Sequence, residues 1–323
     1  QLFQEKFNPD EEILPLQIGT EYDYSPDPTG DIYSQIISDL NSGVNLLNNY
    51  TSPDKLHINK TIAQGLLAYT HAAMGNYAEA KPLADAVIAS GYPLTTAGAL
   101  AYPGAGSGFN DVNSPSWIWA FDLTEELGHQ LIDWWGQMDA YTYSYQWAGD
   151  YKSIDDALYA QIESDDVRKN QFGTGTSALQ PINKFFDPNR TIGGQYIITT
   201  DLLFMRVEEF YLLSAESAAM LGNDAAAKST MVELLDNRMA DAAGTVNSLS
   251  GTQLQDFIYL QTKIELWGEG KTYLAMKRNQ ATVTRGTNHV YRAGESFVYD
   301  SDEMSFQIPE DEINNNPSIS EQN

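Results

Sequence analysis

Residues 60–93 read KTIAQGLLAYTHAAMGNYAEAKPLADAVIASGYP, and residues 206–238 read RVEEFYLLSAESAAMLGNDAAAKSTMVELLDNR. Each stretch has two helix-forming runs around a Gly-Asn turn, Gly75-Asn76 in the first and Gly222-Asn223 in the second. A glycine at such a place ends one helix and lets the chain reverse. Ala68 and Ala80 flank the first turn, where close helix packing requires short side chains, and Leu67, Ala84 and Val87 fill the rest of the interface. Pro93 closes the unit. Ala215 and Ala227 hold the equivalent places 147 residues later, with Leu234 where Val87 stood. These spacings match the tetratricopeptide (TPR) pattern, with His71 and Gln64 where its consensus has Tyr and Trp. A tandem array repeats every ~34 residues. The two units are therefore helical hairpins separated by a large insertion, and a plain solenoid is not supported.

Outward from the hairpins, Thr29 or Asp31 can cap a helix with Ile32, Tyr33, Ile36, Ile37, Leu40, Val44 and Leu47 on one face. A Pro53-Asp54 break precedes the first hairpin, whose helices are expected over residues 59–74 and up to Ser90. After the second hairpin, a helix is expected from Thr252 through Phe257, Leu260 and Ile264 to about Trp267, able to continue through Tyr273 and Met276. The first thirty residues, residues 95–116 and residues 171–200 read as loop, with a short strand at 196–200. The tail from Thr282 is loop with one strand at 305–308. The expected fold class is mainly α: TPR-like hairpins with a large irregular, loop-rich insertion.

Forty-four acidic against eighteen basic residues give a formal charge of −26. That argues against nucleic acid as a partner, because binding phosphates depends on Lys and Arg, and against adhesion to anionic lipid. There is no cysteine, so disulfides, thiolate nucleophiles and cysteine metal sites are excluded. No run of eighteen apolar residues occurs, and residues 1–7 have no signal-peptide pattern. The chain does not begin with Met and is expected to be a processed or truncated piece.

Five of the six tryptophans and a run of tyrosines fall within residues 117–151, beside Asp, Gln, Ser, Gly and Thr. Rings among polar groups suit a flat amphipathic ligand such as a sugar, whose apolar face stacks while its hydroxyls meet donors and acceptors at the rim. A satellite aromatic core under a long loop would give the same composition. Tyr141, Tyr143 and Tyr145 alternate with Thr142 and Ser144, so an extended segment would put all three rings on one side. Trp119 and Phe121, near Ile118 and Ala120, are expected in the core, as is Trp267 on its apolar helix. Trp134, Trp135, Tyr141, Tyr143, Tyr145 and Trp147 are expected to be exposed and to bind ligand.

Catalytic signals are weak. Gly173-Thr174-Gly175-Thr176 lacks the lysine and helix of a phosphate loop, and the four histidines are scattered without zinc spacing. Glu125-Glu126, Asp155-Asp156 and Asp165-Asp166 could serve a glycosidase, but in so acidic a chain such pairs read as solvated surface. No cofactor is expected. Structural calcium has no EF-hand spacing to support it.

Several blocks carry a resemblance. Phe306 to Asn316, with Pro317, reads FQIPEDEINNNP and is similar to a closing motif, IPxxEI leading to Asn-Pro, followed by Gln-Asn as in Gln322-Asn323. His57-Ile58-Asn59-Lys60 leads into Ala63 and Leu67; RVEEFYLLSAE (206–216) precedes Asn237-Arg238; ELWGEGKTYLAMKR (265–278) follows. In that order these blocks resemble the SusD/RagB family of Bacteroidetes outer-membrane, nutrient-binding lipoproteins. Lys271 and Ala275 depart from its usual Arg or His and Asp. The resemblance spans residues 29–323, without the family's N-terminal third, its signal peptide and its lipid-bearing cysteine. It implies a SusD-like α-α superhelix in one domain: residues 29–93 a helix and first hairpin, 95–200 the ligand-binding insertion, 201–280 the second hairpin and following helices, 281–323 the tail. It also implies a local ion pair in Asp165-Asp166-x-Arg168. The implied role is non-catalytic capture of oligosaccharide or polysaccharide at the outer-membrane surface, for a SusC-like TonB-dependent transporter, with the membrane reached only through a lipid anchor outside this chain. The alternative is a TPR-type interaction scaffold or a peptide-binding protein.

Overall fold

The computed structural model describes residues 7–14, 16, 25–319 and 322. In chain order, the elements that matter here are α1 (Thr29–Leu46), α2 (Lys60–Ala73) and α3 (Tyr77–Ile88). The strand β1 (Trp117–Phe121), the short α4 (Trp134–Met138) and the strand β2 (Leu202–Arg206) follow. The chain then forms α5 (Glu208–Met220), α6 (Asp224–Leu235), α7 (Thr252–Glu265) and α8 (Thr272–Arg278).

The hairpins α2–α3 and α5–α6 form around their Gly-Asn turns. Gly75 and Gly222 sit at φ 78° and 75°, a left-handed conformation that costs glycine little and side-chain-bearing residues more. Asn59 and Asn223 cap α2 and α6, accepting from the N–H of Ile62 and Ala226 at 3.0 and 3.2 Å. Ala68, Ala80, Ala84, Ala215 and Ala227 are sealed from solvent, because α3 packs on both α2 and α5 while α5 also packs on α6 and α7. Residues Glu208 to Ala219 of α5 are buried on every face. A helix enclosed all round has no polar stripe, which explains why its sequence shows little amphipathicity.

Several local expectations change. Helix α1 starts behind Pro28 with no side-chain cap, and the Thr29 hydroxyl donates instead to the Glu11 carbonyl at 2.8 Å. Helix α7 ends at Glu265 and the chain turns at Gly268 to Gly270, so α8 is a separate helix. The strand of the insertion's end is β2, not residues 196–200. It pairs antiparallel with β1, Trp117 opposite Arg206 and Phe121 opposite Leu202. Just before β2, the Asp201 carboxylate accepts from the N–H of Val112 and Leu123 at 2.6 and 3.1 Å. Residues 305–308 are not a strand, and the Ile308 backbone pairs with the Gln322 side chain at 2.7 and 3.0 Å. The loop expected over the first thirty residues lies largely outside the described residues, and within them Glu12–Leu14 pairs briefly with Asp27–Pro28.

One buried ionic network fixes the insertion to the helices. Arg206 pairs with Glu208, Glu265 and Glu269 at 3.1, 2.9 and 2.7 Å. Arg238 pairs with Glu208 and Glu265, Arg168 with Asp166 and Glu265, and Lys184 with Glu269. Four cations thus face four carboxylates. Burial alone would push the Glu265 carboxyl up, but Arg238, Arg206 and Arg168 together hold it well below the usual carboxylate range. Arg168 and Lys184 belong to the insertion, so the charges that anchor it come from both sides of the boundary. Nearby, Arg278 grips Glu216 at 2.9 Å and Lys271 reaches Glu209 at 3.1 Å.

Candidate functional site

The aromatic stretch divides into two halves. Trp135 is fully enclosed, its indole N–H donating to the Asp201 carbonyl at 3.2 Å. Trp134 is half-buried and meets Trp135 and Phe185 edge-on, with ring centroids 4.9 and 4.8 Å apart. Trp267 packs on the same group. The expected exposure of Trp135 is therefore overturned: the turn of α4 aims it at Phe185, from a segment 50 residues away. Trp134 instead lines a separate apolar cavity of about 260 Å³ with Phe185 and Phe204. Expectation also fails in the other direction at β1. Phe121 is 40% exposed, beside Phe204 at 6.4 Å, whereas Trp119 is half-buried against the main core, as expected, with Phe204 at 5.1 Å.

The second half is open. Thr142, Ser144 and Gln146 are buried, whereas Tyr141 and Tyr143 are half-buried and Tyr145 and Trp147 are about 40% exposed. The inside–outside alternation expected of an extended segment is present, but the backbone is bent. Ser144 makes the bend: its hydroxyl donates to the Asp139 carbonyl at 2.6 Å and accepts from the Trp147 N–H at 2.9 Å. The result gathers the rings instead of spreading them along a line.

A second segment completes this surface. Tyr143 donates its backbone N–H to the Gln195 carbonyl at 3.0 Å, and Gly194 donates to the Tyr141 carbonyl at 2.9 Å. Tyr196 is thereby stacked on Tyr143, with centroids 4.4 Å apart and planes 17° from parallel, while Trp147 meets Tyr143 at 5.1 Å. Gly193, at φ 63°, lies under the indole, and a Cβ there would stand 3.1 Å from Trp147 Cε2. Tyr196 is more than half exposed. Tyr143, Trp147 and Tyr196 thus form a fixed aromatic group in which Trp147 and Tyr196 are exposed to solvent.

Asp139 ties the first segment to Asp187. Its carboxylate accepts from the N–H groups of Tyr141, Thr142 and Asp187 at 2.8, 3.2 and 3.0 Å. Burial pushes this carboxyl up to about 7 despite those bonds, and the nearby Asp187 adds to the rise. Beyond Asp187, Arg190 lies against Tyr141 and donates to its hydroxyl.

Two of the three acidic pairs have structural partners, and Glu125-Glu126 is exposed. Asp155 accepts from Gly286 N–H, Leu158 N–H and His289, fastening the tail. Asp166 is paired with Arg168 at 2.6 Å. Among the described residues, no group of three or more His, Asp or Glu is arranged to hold a metal ion.

The model of the SusD family matches residues 138–323. The chain belongs to the SusD family. Among solved structures it is similar to a SusD-like carbohydrate binding protein from Bacteroides vulgatus, at 22% identity and a TM-score of 0.79, covering 98% of this chain and 72% of that one. A SusD superfamily protein from Bacteroides thetaiotaomicron matches at 20% identity and TM-score 0.74, covering 98% and 71%. One from Bacteroides fragilis matches at 20% and 0.73, covering 99% and 72%. Likeness at this identity shows the shared SusD-like helical superhelix. Among curated proteins none matches. In this SusD-family chain, Tyr196, Gly193 and Arg190 are the residues of the site that sequence reasoning missed. The available signal was Tyr196 two residues beyond the Gly193-Gly194 turn, the one aromatic ring in residues 191–200.

Proposed function

We propose that this SusD-family chain is a non-catalytic glycan-binding protein, and that oligosaccharide stacks on Tyr143, Trp147 and Tyr196, with Tyr141 and Tyr145 at the edges. The observation that carries this reading is the open, pre-assembled ring group, held by backbone bonds between residues 141–147 and 193–196. A sugar finds exposed rings already assembled there, without ordering a loop first. Residues 95–200 act as the ligand-carrying insertion, and the hairpins of residues 29–93 and 201–280 as its support. At the cell surface the cargo passes to a SusC-like TonB-dependent transporter seated against the helical side. No described helix is long and apolar enough to cross a membrane.

Calorimetric titration with neutral oligosaccharides tests the reading. Each ring–sugar stack contributes about 1 kcal/mol, judged from aromatic pair energies, so Trp147→Ala weakens binding about fivefold. Unchanged affinity in Trp147→Ala and Tyr196→Ala would refute it. Release of reducing ends during the titration would point to a hydrolase instead.

A further inference from the structure

Arg190 stands out in so acidic a chain. Its guanidinium carbon lies 3.9 Å from the centroid of Tyr102, 4.3 Å from Tyr141 and 4.6 Å from Phe186. Its hydrogen bonds go to neutral oxygens: the Ile182 carbonyl at 2.8 Å, the Tyr141 hydroxyl and the Asn183 side chain at 3.4 Å. Among the described residues it takes part in no ion pair, although 44 carboxylates are available to the chain. The Nε–H has no protein partner among those residues and is not sealed from solvent. The residue itself sits at φ 48°, a conformation uncommon outside glycine and kept only where surroundings impose it. Three rings and three hydrogen bonds impose it here.

The position matters as much as the isolation. Arg190 touches Tyr141, two residues from Tyr143, and the strand of chain after it, residues 193–196, supplies Gly193 and Tyr196 to the ring group. A cation held against Tyr141, whose neighbours in the chain carry the ring group, can meet an exocyclic group of a sugar bound beside it.

We propose that Arg190 selects a carboxylate-bearing sugar, a uronic acid, within the glycan that stacks on Tyr143, Trp147 and Tyr196. The proposal rests on the glycan reading above. A charge-assisted hydrogen bond from a guanidinium is about twice as strong as a neutral one, and Arg190 can make it through Nε–H while keeping its bonds to Ile182, Tyr141 and Asn183, with no internal ion pair to surrender.

The test uses tetrasaccharides of glucose, galactose and mannose, each in neutral form and with the terminal C6 oxidised to the carboxylate. Calorimetry on the full chain is expected to show the acidic member of at least one pair binding about tenfold tighter than its neutral twin. In Arg190→Gln that ratio falls to about one, and Arg190→Lys restores part of it. Equal affinities in the wild-type chain, or a preference that survives in Arg190→Gln, overturn the proposal. If Arg190→Gln melts early and cannot be titrated, the acidic-to-neutral ratio in the wild-type chain decides alone. An acidic tetrapeptide that binds as tightly as the acidic sugars overturns the sugar assignment. Binding of neither form, with no response to Trp147→Ala, removes the glycan reading and this inference together.

Discussion

Glu265→Gln isolates the energy of the buried ionic network. The Glu265 carboxylate accepts four hydrogen bonds from three guanidiniums: Arg206 at 2.9 Å, Arg238 at 2.9 and 3.2 Å, and Arg168 at 3.0 Å. Glutamine keeps the shape but offers one oxygen, so two of the four donors then face an amide N–H₂. The change also leaves one uncompensated positive charge in a volume closed to water. Removing one partner from a buried ionic set costs about 3–5 kcal/mol. Unfolding entropy of ~2.1 cal/mol/K per residue over this chain gives about 0.7 kcal/mol/K, so the midpoint falls by about 4–7 °C. Differential scanning calorimetry reads this directly. Arg292→Gln, which breaks an exposed pair with Glu295 at 2.7 Å, is the control and leaves the midpoint in place. A Glu265→Gln midpoint within about 1 °C of the control would refute the reasoning. The network would then be a consequence of the fold and not one of its supports.

Trp135→Ala empties a fully enclosed site between Phe185 and the Asp201 carbonyl. Chemical denaturation is expected to show a loss of about 3–5 kcal/mol, with oligosaccharide affinity of the folded fraction retained. Asp139 carries the pH dependence of the site. Its folded-state pKa is raised to about 7 from 3.8, so its stabilising contribution is complete below about 4 and is lost as pH rises through about 7. A carboxyl ¹³C titration is expected to find a resonance with a midpoint near 7 that disappears in Asp139→Asn. A midpoint near 4 would refute the assignment.

The hairpins were legible because their determinants are local. Alanines at Ala68, Ala80, Ala215 and Ala227 and two Gly-Asn turns specify close helix packing within a few dozen residues. The ionic network was legible only as sequence blocks: Arg206, Arg238, Glu265 and Arg168 are far apart in the chain, and nothing in composition says that they meet. The aromatic stretch was harder still. Trp135 and Trp147 have equally polar neighbours, and what separates them is non-local. Phe185 packs against one, while the other sits on Gly193 with the rest of its ring exposed. Tyr196 and Arg190 escaped notice for the same reason, since their roles depend on backbone pairing between residues 141–143 and 194–195. The strand at Leu202–Arg206 pairs with Trp117–Phe121, some eighty residues upstream, a partner that local pattern does not show.

The interior network sums to zero, so it takes none of the formal charge of −26 inward. The outside of the molecule therefore carries a broad negative potential, felt over about 8 Å at physiological ionic strength. An uncharged sugar diffuses through that potential unhindered. An acidic one must climb it before reaching Arg190, so added salt should hasten its capture, the reverse of what electrostatically guided encounters show.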